Sequence, residues 1–169
     1  MRTILVIRHG VALDRVDAAI YSVADGDRPL TRDGIRKMKK TVRGLKVVSP
    51  KLKMIITSPF LRAKQTAELV AEAYPKAKVV VSELLIPGQP PEMLLKFLSQ
   101  FKSQEPLAIV GHEPDLSVWA GWAVTGKQRS LFELKKGGVC QLLFDDDLAA
   151  GKAVQGWLLT PAQLRQLGG

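Results

Sequence analysis

Four positions along this chain pair a short apolar run with a residue able to do chemistry. Ile4 to Ile7 run into Arg8, His9 and Gly10, and Leu107 to Val110 run into Gly111 and His112. Between them, Lys53 to Thr57 lead into Ser58–Arg62, and Lys78 to Val81 lead to Glu83. A neutral imidazole is a nucleophile or proton carrier near pH 7, and a guanidinium grips oxyanions through paired N–H donors. An Arg-His pair at the end of a strand therefore reads as a reactive histidine held beside an anion. Both histidines of the chain occupy such positions, which surface chance does not readily produce.

The apolar runs are short and β-rich, and helical patterns separate them. Thr31 caps a helix with Ile35, Met38, Val42 and Leu45 at helical spacing. Ser58 is expected as the N-cap and Pro59 as an early position of a helix that runs through Leu61, Ala63, Leu69, Val70 and Ala73 to Pro75. Glu92 to Phe101, with Met93, Leu94, Phe97 and Leu98 on its apolar side, and Leu116 to Val124 are further helices. Val11 to Arg28 reads as a polar segment carrying Asp14, Asp17, Asp25 and Asp27. Strands are expected in Gly138–Phe144 and Val154–Leu159, with an acidic turn at Asp145-Asp146-Asp147. Alternation of this kind predicts an α/β fold, a three-layer α/β/α sandwich on a mostly parallel sheet. The carboxyl ends of parallel strands share one edge, where ligands bind in open α/β sheets. Arg8, His9, Arg62, Glu83 and His112 would then converge there.

The whole chain bounds these readings. Its 169 residues suit one domain spanning 1–169 with a sizeable core. No apolar stretch approaches the roughly 20 residues of a membrane span, and four apolar residues after Thr3 are too few for a secretory h-region. The single cysteine, Cys140, lies in an apolar run and is expected as a buried thiol rather than a nucleophile. These features point to a cytoplasmic protein. The net charge of +9 concentrates in Arg32, Arg36, Lys37, Lys39, Lys40, Arg43, Lys46, Lys51 and Lys53. Such a run is ordinarily a solvated helix face. No aromatic RNA-binding signature, zinc spacing or helix-turn-helix accompanies it, so nucleic-acid binding is a minor reading.

Three segments in order resemble the histidine phosphatase, or phosphoglycerate-mutase-like, superfamily. They are Ile7-Arg8-His9-Gly10, the stretch from Thr57-Ser58-Pro59 through Arg62-Ala63-Lys64-Gln65-Thr66-Ala67, and Val110-Gly111-His112-Glu113-Pro114. Arg28-Pro29-Leu30-Thr31 and the short chain are closer to the phosphohistidine phosphatases of the SixA type. Lys135-Lys136-Gly137-Gly138 and Trp157 to Pro161 also look like compact bacterial members. The resemblance implies that His9 is transiently phosphorylated, that Arg8 and Arg62 bind the phosphate, and that His112 holds one of its oxygens. Glu83 is nominated as general acid, with Asp14, Asp17 and Asp25 as alternatives. It implies no cofactor, and no ligand spacing suggests a metal.

Substrate choice rests on size. Only about 28 residues separate Glu83 from His112, enough for one helix and turns but not for the capping insertion of many small-molecule phosphatases in the superfamily. A compact, uncapped edge favours phosphohistidine on a protein domain, and the basic 32–53 face could steer an acidic one. Small phosphoesters such as sugar or nucleotide phosphates are the enzymatic alternative. A non-enzymatic binder of acidic partners or nucleic acid is the lesser one.

Overall fold

A computed structural model describes residues 1–102, 104–145 and 147–169. Its strands are β1 (Arg2–Arg8), β2 (Met54–Thr57), β3 (Lys78–Val81), β4 (Leu107–Gly111), β5 (Val139–Phe144) and β6 (Ala153–Leu159). Its helices are α1 (Arg15–Ile20), α2 (Arg32–Val48), α3 (Leu61–Ala73), α4 (Pro91–Ser99), α5 (Asp115–Thr125) and α6 (Pro161–Leu167), with 3-10 turns at Asp25–Asp27 and Glu83–Leu85. One sheet joins all six strands in the order β3-β2-β4-β1-β5-β6. The first four are mutually parallel, whereas β5 runs antiparallel to β1 and β6 antiparallel to β5. The mostly parallel α/β sheet is thus as expected, with an antiparallel hairpin on one side.

Alternation along the central strands builds two cores. Ile4 and Val6 of β1 face a cluster with Leu94, Leu98, Leu116 and Trp119 of α4 and α5. Leu5 and Ile7 face the other way, into Met38, Val42 and Leu45 of α2, Ala63, Ala67 and Val70 of α3, and Leu164 of α6. A strand buried on both faces must be apolar throughout, which is why β1 and β4 read as unbroken runs. Cys140 is buried in the first cluster, and burial pushes its thiol up to about 12. It stays protonated at neutral pH and does not serve as a nucleophile.

Several local expectations are corrected. The polar segment contains α1, capped by the Asp14 carboxylate, which accepts from Val16 N at 2.7 Å. α3 begins at Leu61 with Phe60 in the cap position, so Ser58 and Pro59 lie outside it. Ser58 instead extends the sheet, its N–H donating to the Val110 carbonyl at 3.0 Å. α4 stops at Ser99, and Met93 is exposed on it rather than packed. α6 was not expected; Thr160 and Gln163 close a reciprocal capping box at its start. The expected turn at Asp145-Asp146-Asp147 includes Asp146, which lies outside the described residues.

Candidate active site

Strand register assembles the site. Arg8 pairs with Gly111 across β1 and β4, and Thr57 of β2 pairs with Val110. The ladder continues one step beyond each strand: His9 N donates to Gly111 O at 3.1 Å, and Ser58 N donates to Val110 O. His9, Ser58 and His112 are therefore brought to one edge. The turn at Gly137, with φ of 84°, fastens that edge from the far side. Its N–H donates to the Arg8 and His9 carbonyls at 3.1 and 3.0 Å, a turn geometry that suits a residue without Cβ.

The two imidazole rings stand 5.3 Å apart, centroid to centroid. His9 Nδ1 lies 2.7 Å from the Gly10 carbonyl. A carbonyl can only accept, so Nδ1 carries the proton and Nε2 keeps its lone pair. Arg62 Nε donates to that Nε2 at 3.3 Å. Burial, reinforced by His112, Arg62 and Arg8, lowers His9 to about 3 against the opposing bond to Gly10. His112 falls to about 3 as well, through burial first and then Arg62. Both rings are neutral at pH 7. His112 Nε2 meets Ser58 Oγ at 2.8 Å, and His112 Nδ1 is buried without a partner among the described residues.

Arginines surround the pair. Arg62, in the first turn of α3, is 3% exposed and lies over the Phe60 ring, 5.2 Å from its centroid. The edge of Phe60 meets His112 at 5.2 Å. Arg62 Nη1 donates to the Asp25 carbonyl at 2.6 Å, and Nη2 lies 3.3 Å from Asp25 Oδ2. Arg28, also buried, donates through Nε to Asp25 Oδ1 at 3.0 Å. Burial pushes the Asp25 carboxyl up, but Arg62 and Arg28 outweigh it and hold it below the usual carboxylate range. Arg8 Nη1 donates to the Leu134 carbonyl at 2.5 Å and stands 3.8 Å from Glu133 Oε1, while its buried Nε has no partner among the described residues.

Arg8, His9, Arg62 and His112 are thus gathered as expected. Glu83 is exposed at the start of its 3-10 turn, and no hydrogen bond or ion pair ties its carboxylate to them among the described residues. Asp25 is the carboxylate that contacts Arg62 and Arg28. Three supports escaped the sequence reading. Ser58 touches His112. Thr66 Oγ1 accepts from Gly10 N at 3.0 Å and donates to the Arg62 carbonyl at 2.8 Å, tying α3 to the residue after His9. The Asp25–Arg28 pair carries a signal only in its spacing of three residues.

Two neutral imidazoles among buried guanidiniums can hold a phosphoryl group and accept it. Known proteins agree. The histidine phosphatase superfamily (branch 1) matches this chain over residues 4–86. An uncharacterized protein of Picosynechococcus sp. is 37% identical over 137 residues, 80% of this chain and 81% of its own length. The phosphohistidine phosphatase SixA of Escherichia coli is 25% identical over 167 residues, 96% of each chain. The chain belongs to the histidine phosphatase superfamily, on its SixA-type branch, and is a phosphatase. In fold it superposes on the protein histidine phosphatase SixA complexed with tungstate at a TM-score of 0.78, with 23% identity over 96% of this chain and 99% of that one. A putative alpha-ribazole-5'-P phosphatase of Escherichia coli shares the fold at a TM-score of 0.75 and 19% identity, covering 96% of this chain and 99% of that one.

Proposed function

We propose that residues 1–169 form one phosphatase domain that removes phosphate from phosphohistidine on a protein of a signalling or phosphotransfer chain, with His9 as the acceptor. The observation that carries the reading is the tautomer of His9, with its proton on Nδ1 toward Gly10 and its lone pair on Nε2 beside Arg62. Nε2 attacks phosphorus in line, the P–N bond to the substrate imidazole breaks, and that leaving nitrogen takes a proton. Arg8 and Arg62 offset the charge on the equatorial oxygens. Ser58, donating to His112 Nε2, leaves the ring proton on Nδ1, from which His112 donates to a phosphoryl oxygen. Water then attacks phospho-His9, the P–Nε2 bond breaks, and phosphate departs. The scheme assigns no step to a metal or cofactor. A protonated imidazole leaves readily, so Glu83 is needed as an acid only for an alkoxide leaving group.

Two features support a protein-borne substrate. Val16, Ile20 and Tyr21 on and just after α1 are 68%, 69% and 72% exposed, an apolar patch on the segment that leads to Asp25 and of the kind that marks protein contacts. Between Glu83 and His112 the described residues hold only the 3-10 turn, α4 and β4. No helix among the described residues is long and apolar enough to cross a membrane.

The acceptor is tested by mixing the enzyme with a phosphohistidine protein and quenching in alkali, which preserves P–N bonds. Phosphate is expected on His9, and His9→Ala should lose label and at least about a thousandfold in rate. Wild-type turnover by His9→Ala would refute the acceptor.

A further inference from the structure

The Arg62 donors that would grip a phosphoryl group already have partners. Arg62 uses Nη1 and Nη2 on Asp25 and Nε on His9 Nε2, the nitrogen assigned to attack. Arg28 places Nε and Nη2 on Asp25 Oδ1, each at 3.0 Å, and spends Nη1 on the Leu13 carbonyl at 2.7 Å. Arg15 Nε approaches the same Oδ1 at 3.9 Å. One carboxylate thus sits at the centre of three arginines, with each oxygen claimed by a different buried guanidinium. Such a guanidinium requires an anion, and a planar carboxylate and a phosphoryl group satisfy the same fork of N–H donors.

The surroundings of Asp25 differ from those of its partners. His9, Arg62 and His112 are 6%, 3% and 3% exposed, and Arg28 is 8% exposed. The Asp25 side chain is 49% exposed and belongs to a three-residue 3-10 turn rather than to the sheet. Arg62 is therefore fixed by α3, whereas the anion is held by a short surface turn that Arg28 closes. We infer that Asp25 is a latch: its carboxylate competes with phosphate for Arg62 and Arg28, yields to the incoming phosphoryl group, and returns to speed product release. This rests on Arg62 being a phosphate ligand. It adds a residue that sets phosphate affinity without touching phosphorus, a positioning residue rather than a catalytic one.

The experiment measures inhibition by inorganic phosphate, and binding of tungstate by calorimetry, for wild type, Asp25→Asn, Asp25→Ala and Arg62→Ala. The latch predicts that both Asp25 variants bind phosphate and tungstate about tenfold more tightly, with kcat lowered as release slows. Asp25→Asn keeps the size of the side chain, so agreement between the two variants separates lost charge from a collapsed turn. Unchanged or weaker anion binding by Asp25→Asn, with Arg62→Ala binding none, overturns the latch alone. Anion binding that survives intact in Arg62→Ala overturns the phosphate assignment of Arg62 and the latch with it.

Discussion

Protonation of the two histidines ties the chemistry to stability. Each ring falls from 6.5 to about 3, chiefly through burial. An unfolded chain would take up these protons as pH drops through 6.5, while the folded chain refuses them until about 3. The neutral rings therefore contribute full stability above about pH 6.5, and that contribution shrinks on acidification toward 3. Two protons set a limiting slope of about 2.7 kcal/mol per pH unit. Denaturant midpoints between pH 6.5 and 4.5 should show this loss, and His112→Asn should remove about half of it. An unaltered slope in that variant would mean that His112 titrates normally. Asp25 acts in a lower window: its depressed carboxyl contributes above the usual carboxylate range, and that contribution is lost only as pH falls through its folded value. His9 stays neutral across pH 5 to 8, so its nucleophilicity should show no acid limb near 6.5.

At the scale of elements, α2 is what holds the loop after His9 in place. Thr31 caps it, accepting from Gly34 N at 2.9 Å, and Thr31 N donates to Val11 O at 3.0 Å. A Cβ on Gly34 would stand 2.1 Å from that same Val11 oxygen. Gly34→Ala must therefore push helix and loop apart, at a cost of about 1–3 kcal/mol, and should lower both the melting temperature and the turnover. Unchanged values for both would show that the contact does not position His9. Much of this frame was legible beforehand, because β1, β2 and β4 are apolar runs ending in the residues they present. α1 was not, since Ala18 alone is buried on it and a helix with so thin an apolar stripe leaves no periodic signal. α6 carries its signal in Thr160-Pro161 and Gln163, a cap, a first-turn proline and the reciprocal third residue. Ser58 looked like an N-cap because serine and proline fit one; its hydroxyl goes to His112, a partner 54 residues away. The contact between Arg62 and Asp25 spans 37 residues, and only the folded chain shows which of the acids in the first loop reaches the arginines.

For the molecule as a whole, charge is distributed by layer. The outer face of α2 exposes Arg32, Arg36, Lys37, Lys39, Lys40, Arg43 and Lys46, against the single acid Asp33, which pairs with Arg36 and with Lys37 at 2.7 Å. Lys51 and Lys53 extend the exposed run. A field of this sign speeds encounters with an acidic protein and is screened by salt, whereas a small ester held by a few arginines gains less from it. The central claim is that the phosphate taken by His9 comes from a protein histidine, and the direct measurement is kcat/KM for an acidic phosphohistidine domain beside a panel of sugar, nucleotide and aryl phosphates. The account predicts a preference for the protein of about a hundredfold or more at low salt, shrinking about tenfold toward 0.5 M salt. A preference for any of the small esters, insensitive to salt, would contradict it.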